Sequence, residues 1–200
     1  MSSSAGGTSS SAGGTSSSAQ GGAAPHVVHA CPTADGGIAT GTWEDVTPPG
    51  VSLDSNFNTP AGTNYGANAI IVDPTDTATV YLGTSSQGIY KTTDCGSTWV
   101  HINTGTNGDQ LDKGRQWTMV IDPKNPQIIY ANAGYGPNGV FKSSNGGVDW
   151  DQVLPTSVSQ FAPFGGFVGK ITMDPTNNQH ILVSFHGPCT GMYAATGCLA

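Results

Sequence analysis

The chain repeats itself with a period of about fifty residues, and a repeat of that length limits the folds open to it more than any other feature. IIVDPTD at 70–76, VIDPKN at 120–125 and TMDPTN at 172–177 each set an apolar run before Asp-Pro, with Asn or Asp two residues beyond the proline. TTDCGSTWVHI at 92–102 and SSNGGVDWDQV at 143–153 are a second motif, written twice. The Asp-Pro aspartates, Asp73, Asp122 and Asp174, are spaced like Trp99 and Trp150 of the second motif, so both belong to one unit. Within a unit the apolar run and Asp-Pro turn lead to a second run (TVYLG at 79–83, IIYAN at 128–132, ILVSF at 181–185). A third run follows (GIYKT at 88–92, GVFKS at 139–143), then the motif turn and a fourth run from the tryptophan.

Four short β runs per unit, with no sustained helical period, predict one antiparallel meander per repeat, and serial meanders predict an all-β chain of β-propeller blades forming an incomplete ring. The expected blades are 69–102, 117–153 and a truncated 168–200, within a partial propeller over 31–200. GTWEDV at 41–46 repeats only a fourth strand and is expected to close the ring by pairing with a final blade. Residues 1–30, almost wholly Ser, Gly, Ala and Thr, have too little apolar surface to fold and read as a disordered tether.

In the second motif Thr92, Asp94, Gly96, Thr98 and Trp99 hold fixed offsets; Ser143, Asn145, Gly147 and Trp150 repeat them, with Asn for Asp and Asp149 for Thr. Short polar side chains cap backbone N–H groups in a tight turn, Gly takes a positive φ and Trp packs between sheets. On these residues the chain resembles the BNR or Asp-box repeat of sialidases, of sortilin-type VPS10 domains and of xyloglucanase-type propellers, over roughly residues 40–200. The resemblance implies a structural turn. An aspartate bonded to backbone amides has no lone pair left for catalysis, so these nine residues are expected to be structural.

Alternating strands put the Asp-Pro turns and motif turns on one face, and the irregular 2–3 loops and inter-sheet links on the other, where binding is expected. Those loops hold Tyr65, Trp117 and Tyr135, along with Phe57, Phe161, Phe164 and Tyr193, interleaved with amides. Aromatic faces beside polar groups suit sugar rings. The ligand-binding candidates are Tyr65, Asp109, Asp112, Arg115, Trp117, Tyr135 and His186. Asp109 and Asp112 form a carboxylate pair of the kind glycoside hydrolysis needs, on a Gly-flanked loop that also suits a solvated tip.

The 13 acidic residues against 6 basic ones give a net charge of −7 and no basic stripe, which speaks against nucleic acid as a partner. No apolar run is long enough to form a transmembrane helix. The four cysteines show no zinc spacing, and neither metal nor cofactor is expected. Cys189 and Cys198 are expected to pair across a long loop if Gly197-Cys198-Leu199 begins a third strand; the register using Gly191-Met192-Tyr193 would part them. The pairing of Cys31 and Cys95 stays open. Met1 reads as a displaced start, and the tether resembles the spacer of exported bacterial proteins, which implies an extracellular or cell-surface protein, lipid anchoring included.

Sialidases hold a carboxylate with three arginines, and the sequence has Arg115 alone. YLGTSSQGIYKT at 81–92 is similar to a xyloglucanase-type stretch, sharing Tyr81, Thr84, Gly88 and Tyr90, and GGFVGKITMDP at 165–175 is similar to another. That family's catalytic Asp falls on Ser85, and in the next comparable unit near His186. The catalytic residues are thus unassigned, and the chain leans away from being an enzyme. Two functions remain: an exported scaffold that binds glycan or protein through its loop face beside further blades, or a xyloglucanase-type glycoside hydrolase.

Overall fold

The computed structural model describes residue 31 and residues 43–54, 64–135, 139–155, 168–188 and 196–199; the expected tether at 1–30 lies outside them. The described chain is all-β apart from one helical turn. The first sheet is β1 (Ala67–Asp73), β2 (Asp76–Thr84), β3 (Ile89–Thr92) and β4 (Val100–His101), antiparallel in sequence order. After α1 (Gly108–Leu111) the second repeats it with β5 (Met119–Ile121), β6 (Ile129–Ala133), β7 (Gly139–Ser143) and β8 (Asp151–Pro155). The third has β9 (Val168–Asp174), β10 (Asn177–Pro188) and β11 (Thr196–Leu199). First strands adjoin, β1 against β5 and β5 against β9, so the meanders stack as propeller blades.

Period-2 alternation assigns each residue to one of two seams. Ala69, Ile71, Tyr81 and Ile89 of the first sheet meet Met119, Ile129, Phe141 and Trp150 of the second. Their strand neighbours Tyr130 and Val140 face the other way, onto Ile171, Val183 and Phe185 of the third. Buried polar groups lock the same seams. Asn132 Oδ1 accepts from Trp117 N (2.8 Å) and Thr118 N (2.9 Å), while its Nδ2 donates to Val168 O (3.1 Å). Asn178 Nδ2 donates to Asp122 Oδ2 (2.6 Å), and Tyr130 Oη to Asn178 O (2.8 Å).

The first motif turn is a closed hydrogen-bond circuit. Thr92 Oγ1 accepts from Gly96 N (2.9 Å), and Asp94 accepts from Thr98 N (2.8 Å) and Thr98 Oγ1 (2.6 Å). In the second turn Ser143 Oγ accepts from Gly147 N (2.9 Å) and Asn145 Oδ1 from Asp149 N (2.9 Å). There the side-chain bond is reversed: Asn145 Nδ2 donates to Asp149 Oδ2 (2.7 Å), where Asp94 accepts from Thr98. The two departures from the first motif therefore compensate each other. Gly96 and Gly147, at φ +92 and +95, follow another left-handed residue, Cys95 or Gly146. A side chain at Gly147 would also strike Ile102, whereas one at Gly96 would only come into ordinary contact with Val46.

Three expectations are corrected. Residues 43–46 form no strand, and Trp43 is 96% exposed. The chain curls where Asp45 Oδ1 accepts from Thr47 N (2.9 Å) and Thr47 Oγ1 (2.6 Å), and Pro48 and Pro49 cannot donate to a ladder. Val46 nevertheless reaches Gly96 and Trp99 as Ile102, also three residues beyond a tryptophan, reaches Gly147 and Trp150. Trp99 is only half-buried whereas Trp150 is fully buried, because a whole sheet lies against Trp150 while, among the described residues, the strandless segment 44–53 is what lies over Trp99. Nor is the separation of turns from links complete. Thr106 N donates to Asp149 Oδ1 (2.6 Å) and Trp150 N to Thr106 O (2.9 Å), because the link after β4 satisfies backbone and side-chain groups of the neighbouring motif turn before it reaches α1.

A disulfide joins Cys31 to Cys95, across 64 residues, and so ties the N-terminal side of the fold to the first motif turn. Cys189 lies outside the described residues, as does the side chain of Cys198, so the pair expected there is not described; β11 does run through Gly197-Cys198-Leu199.

The turn aspartates link stability to pH. Asp174 accepts from Thr176 Oγ1 (2.6 Å) and Thr176 N (2.8 Å), which with His180 hold its carboxyl down at about 2. Asp94 is held low by Thr98 and then Thr92, Asp149 by Thr106 and then Asn145, and Asp122 chiefly by the Lys124 N–H. A carboxyl depressed in the folded state contributes stability above its unfolded pKa, near 3.9, which is lost as pH falls through the folded value. The melting temperature is therefore expected to hold from neutral pH to about 4.5 and to fall steadily toward about pH 2. Asp174→Asn should flatten the lowest part of that fall, and a curve identical to the parent's would contradict the assignment.

Candidate functional site

Four of the seven sequence candidates converge at one end of the inner strands. Residues 114–117 run along the seam between the first two sheets. Arg115 N donates to Gly134 O (2.7 Å), Gly134 N donates back to Arg115 O (3.0 Å), and Ser86 N donates to Gly114 O (2.9 Å). Isolated β-bridges join Arg115 to Ser85 on one side and Gly134 on the other. The Arg115 guanidinium carbon lies 4.1 Å from the centre of the Tyr65 ring and 4.5 Å from that of Tyr135. Trp117 meets Tyr135 edge-on at 5.1 Å. Tyr65 stands just before β1 and Tyr135 just after β6, so each sheet contributes one tyrosine. Tyr65 is 58% exposed and Tyr135 36%, whereas Arg115 is 9% exposed. The cluster presents aromatic surface with the cation beneath it.

The remaining candidates lie apart from this cluster. Asp109 pairs with Lys113 on the exposed side of α1 (2.5 Å), and that partner lowers its pKa. Asp112 Oδ1 sits 2.9 Å from His101 Nε2 and accepts from Asn103 Nδ2 (2.7 Å). Gly88, at φ +78, packs against this trio with no room for a β-carbon, so the three side chains tie the α1 link to the base of β3. Asp109 and Asp112 thus face different partners. His186 lies on β10, and its side chain is outside the description, as are Phe57, Phe161, Phe164 and Tyr193.

Ser85, the residue aligned with a catalytic aspartate, is fully buried, and its Oγ has no hydrogen-bond partner among the described residues; the same holds for Ser86 Oγ and Gln116 Oε1 beside it. No cluster of potential metal ligands occurs among the described residues. Sequence reasoning missed His101, at the end of β4, and Asn103, which opens the link that follows it. The signal that could have found them is the positive-φ glycine opening the third run, which marks a crowded neighbour.

No family model matches the chain. It is similar to a xyloglucanase of Hypocrea jecorina, with 29% identity over 141 residues, covering 65% of this chain and 15% of that protein. It is also similar to xyloglucanase Xgh74A of Acetivibrio thermocellus, with 27% identity over 124 residues, covering 56% of this chain and 14% of the other. Among solved structures, an ancestral GH74 enzyme shares 18% identity at a TM-score of 0.48, over 66% of this chain and 17% of its own. The chain thus spans about a seventh of the length of the curated relatives it matches.

Proposed function

We propose that this chain is the glycan-binding part of an exported Asp-box propeller related to xyloglucanases, and that its loop face holds a β-glucan backbone. The carrying observation is the exposed aromatic surface of Tyr65 and Tyr135, braced by Trp117 and set at the seam of two sheets. Sugar rings stack their apolar C–H faces on such rings, which supports the reading. Relatives named as xyloglucanases make xyloglucan the first ligand to test. The Cys31–Cys95 disulfide suits an oxidising compartment outside the cytoplasm.

Hydrolysis by these residues is disfavoured. Ser85 supplies no carboxylate, and Asp112 is already engaged by His101 and Asn103. In affinity electrophoresis through xyloglucan the protein is expected to be retarded, and Tyr65→Ala to weaken binding by about tenfold with its melt unchanged. Free migration of the parent, or equal retardation of the variant, would sink the reading. Release of reducing ends by this chain would instead favour the hydrolase.

A further inference from the structure

We propose that Arg115 is a positioning residue: one guanidinium, gripped by Tyr65 of the first sheet and Tyr135 of the second, sets the two rings into a single ligand-facing surface. This rests on the glycan-binding reading above and assigns Arg115 a role other than touching the ligand.

Three observations converge on it. The backbone of Arg115 is stitched to both sheets, to the Ser85 loop on one side and to Gly134 on the other, so its side chain starts from the seam itself. The guanidinium then lies within cation–π distance of a ring from each sheet, at 4.1 and 4.5 Å. Arg115 is nearly buried while both rings are exposed, so a ligand reaches the tyrosines first. Tyr135 adds a further sign of constraint, since its backbone sits at φ +56, a left-handed conformation that residues bearing a β-carbon seldom adopt. Its ring is held there from two directions, by Arg115 and by the edge contact with Trp117.

Arginine suits the task for a physical reason. Its planar, weakly hydrated cation can lie against an aromatic face, whereas the lysine ammonium is a compact, strongly hydrated point charge. A neutral side chain of similar length would fill the seam without attracting either ring. Exposed tyrosines lose rotamer freedom when a sugar orders them, and prior clamping removes that cost from binding.

The test uses the full chain, xyloglucan oligosaccharide as probe, and Arg115→Met and Arg115→Lys beside the parent. Titration calorimetry should show Arg115→Met binding about tenfold more weakly, with Arg115→Lys between the two. The near-ultraviolet tyrosine circular dichroism of Arg115→Met should shrink without ligand present, while its far-ultraviolet spectrum is kept. In a Tyr65→Ala/Tyr135→Ala background, Arg115→Met should change affinity by less than about twofold, because a residue acting through the rings has nothing left to act on. An undiminished effect in that background would make Arg115 a direct ligand contact and overturn the proposal. An unchanged dichroism signal in Arg115→Met would overturn it as well, and if that variant fails to fold, Arg115→Lys carries the same two readouts. Should the parent bind no xyloglucan, the glycan reading fails alone, and the dichroism still decides whether Arg115 orders the rings.

Discussion

Trp150→Ala is expected to cost about 3–5 kcal/mol, the largest loss from any single truncation in this fold. The indole is 1% exposed, between the second motif turn and the apolar tail of the first sheet. Its Nε1 donates to Gly147 O (2.8 Å), and its backbone bonds to Thr106 O and the Asn107 side chain (2.9 and 2.8 Å). Alanine would leave a cavity at a seam closed on all sides, and such cavities collapse poorly. Trp99→Ala removes the same side chain from a half-buried setting whose Nε1 has no hydrogen-bond partner among the described residues, so its cost should be clearly smaller. Urea unfolding of both variants measures the contrast. Equal losses would mean that residues 44–53 cover Trp99 as well as a complete sheet covers Trp150.

Removal of the Cys31–Cys95 bridge, by Cys31→Ser or by reduction, is expected to cost about 2–4 kcal/mol. The bridge closes a loop spanning 64 residues, and a loop of that length restricts the unfolded chain strongly. Cys95 also occupies a left-handed position at φ +62, where the second motif turn has Gly146, so the covalent link holds a residue in a conformation its type does not favour. Equilibrium unfolding with and without reductant should show the midpoint moving while the denaturant slope changes. A midpoint shifted by less than the equivalent of about 1 kcal/mol would show that the link restricts little of the unfolded chain.

The repeat made the architecture legible because its signals are local. Asp-Pro, the paired Thr92/Asp94 and Ser143/Asn145 offsets, and the alternation around Tyr81 and Tyr130 each fix a turn or a strand face within a few residues. Four of the site candidates were legible for the same reason, since strand parity brings Tyr65, Arg115, Trp117 and Tyr135 to the same strand ends. What the sequence concealed depends on partners far along the chain. Residues 43–46 carry the pattern of a fourth strand, but a strand also needs a neighbour to bond, and Pro48-Pro49 breaks the ladder. The Cys31–Cys95 pairing joins a segment without the repeat to one within it, so no periodicity announces it. Asp109 and Asp112 looked like a pair because they are three residues apart, yet side chains on one helical turn diverge to Lys113 and to His101 as soon as those partners are in place.

Ile102 against Gly147, and Val46 against Gly96, have a consequence for where this molecule can be divided. Each motif turn is finished by a residue from the preceding unit, so the boundaries of folding independence are staggered against the boundaries of the sheets. A piece cut neatly at Ala67, where β1 begins, would carry every strand of its first sheet and still lack the Val46 side chain that seats its motif turn. A segment that keeps its first motif turn complete therefore starts at least about twenty residues upstream of its first strand, and circular permutants or transplanted blades should inherit that overhang along with the sheet.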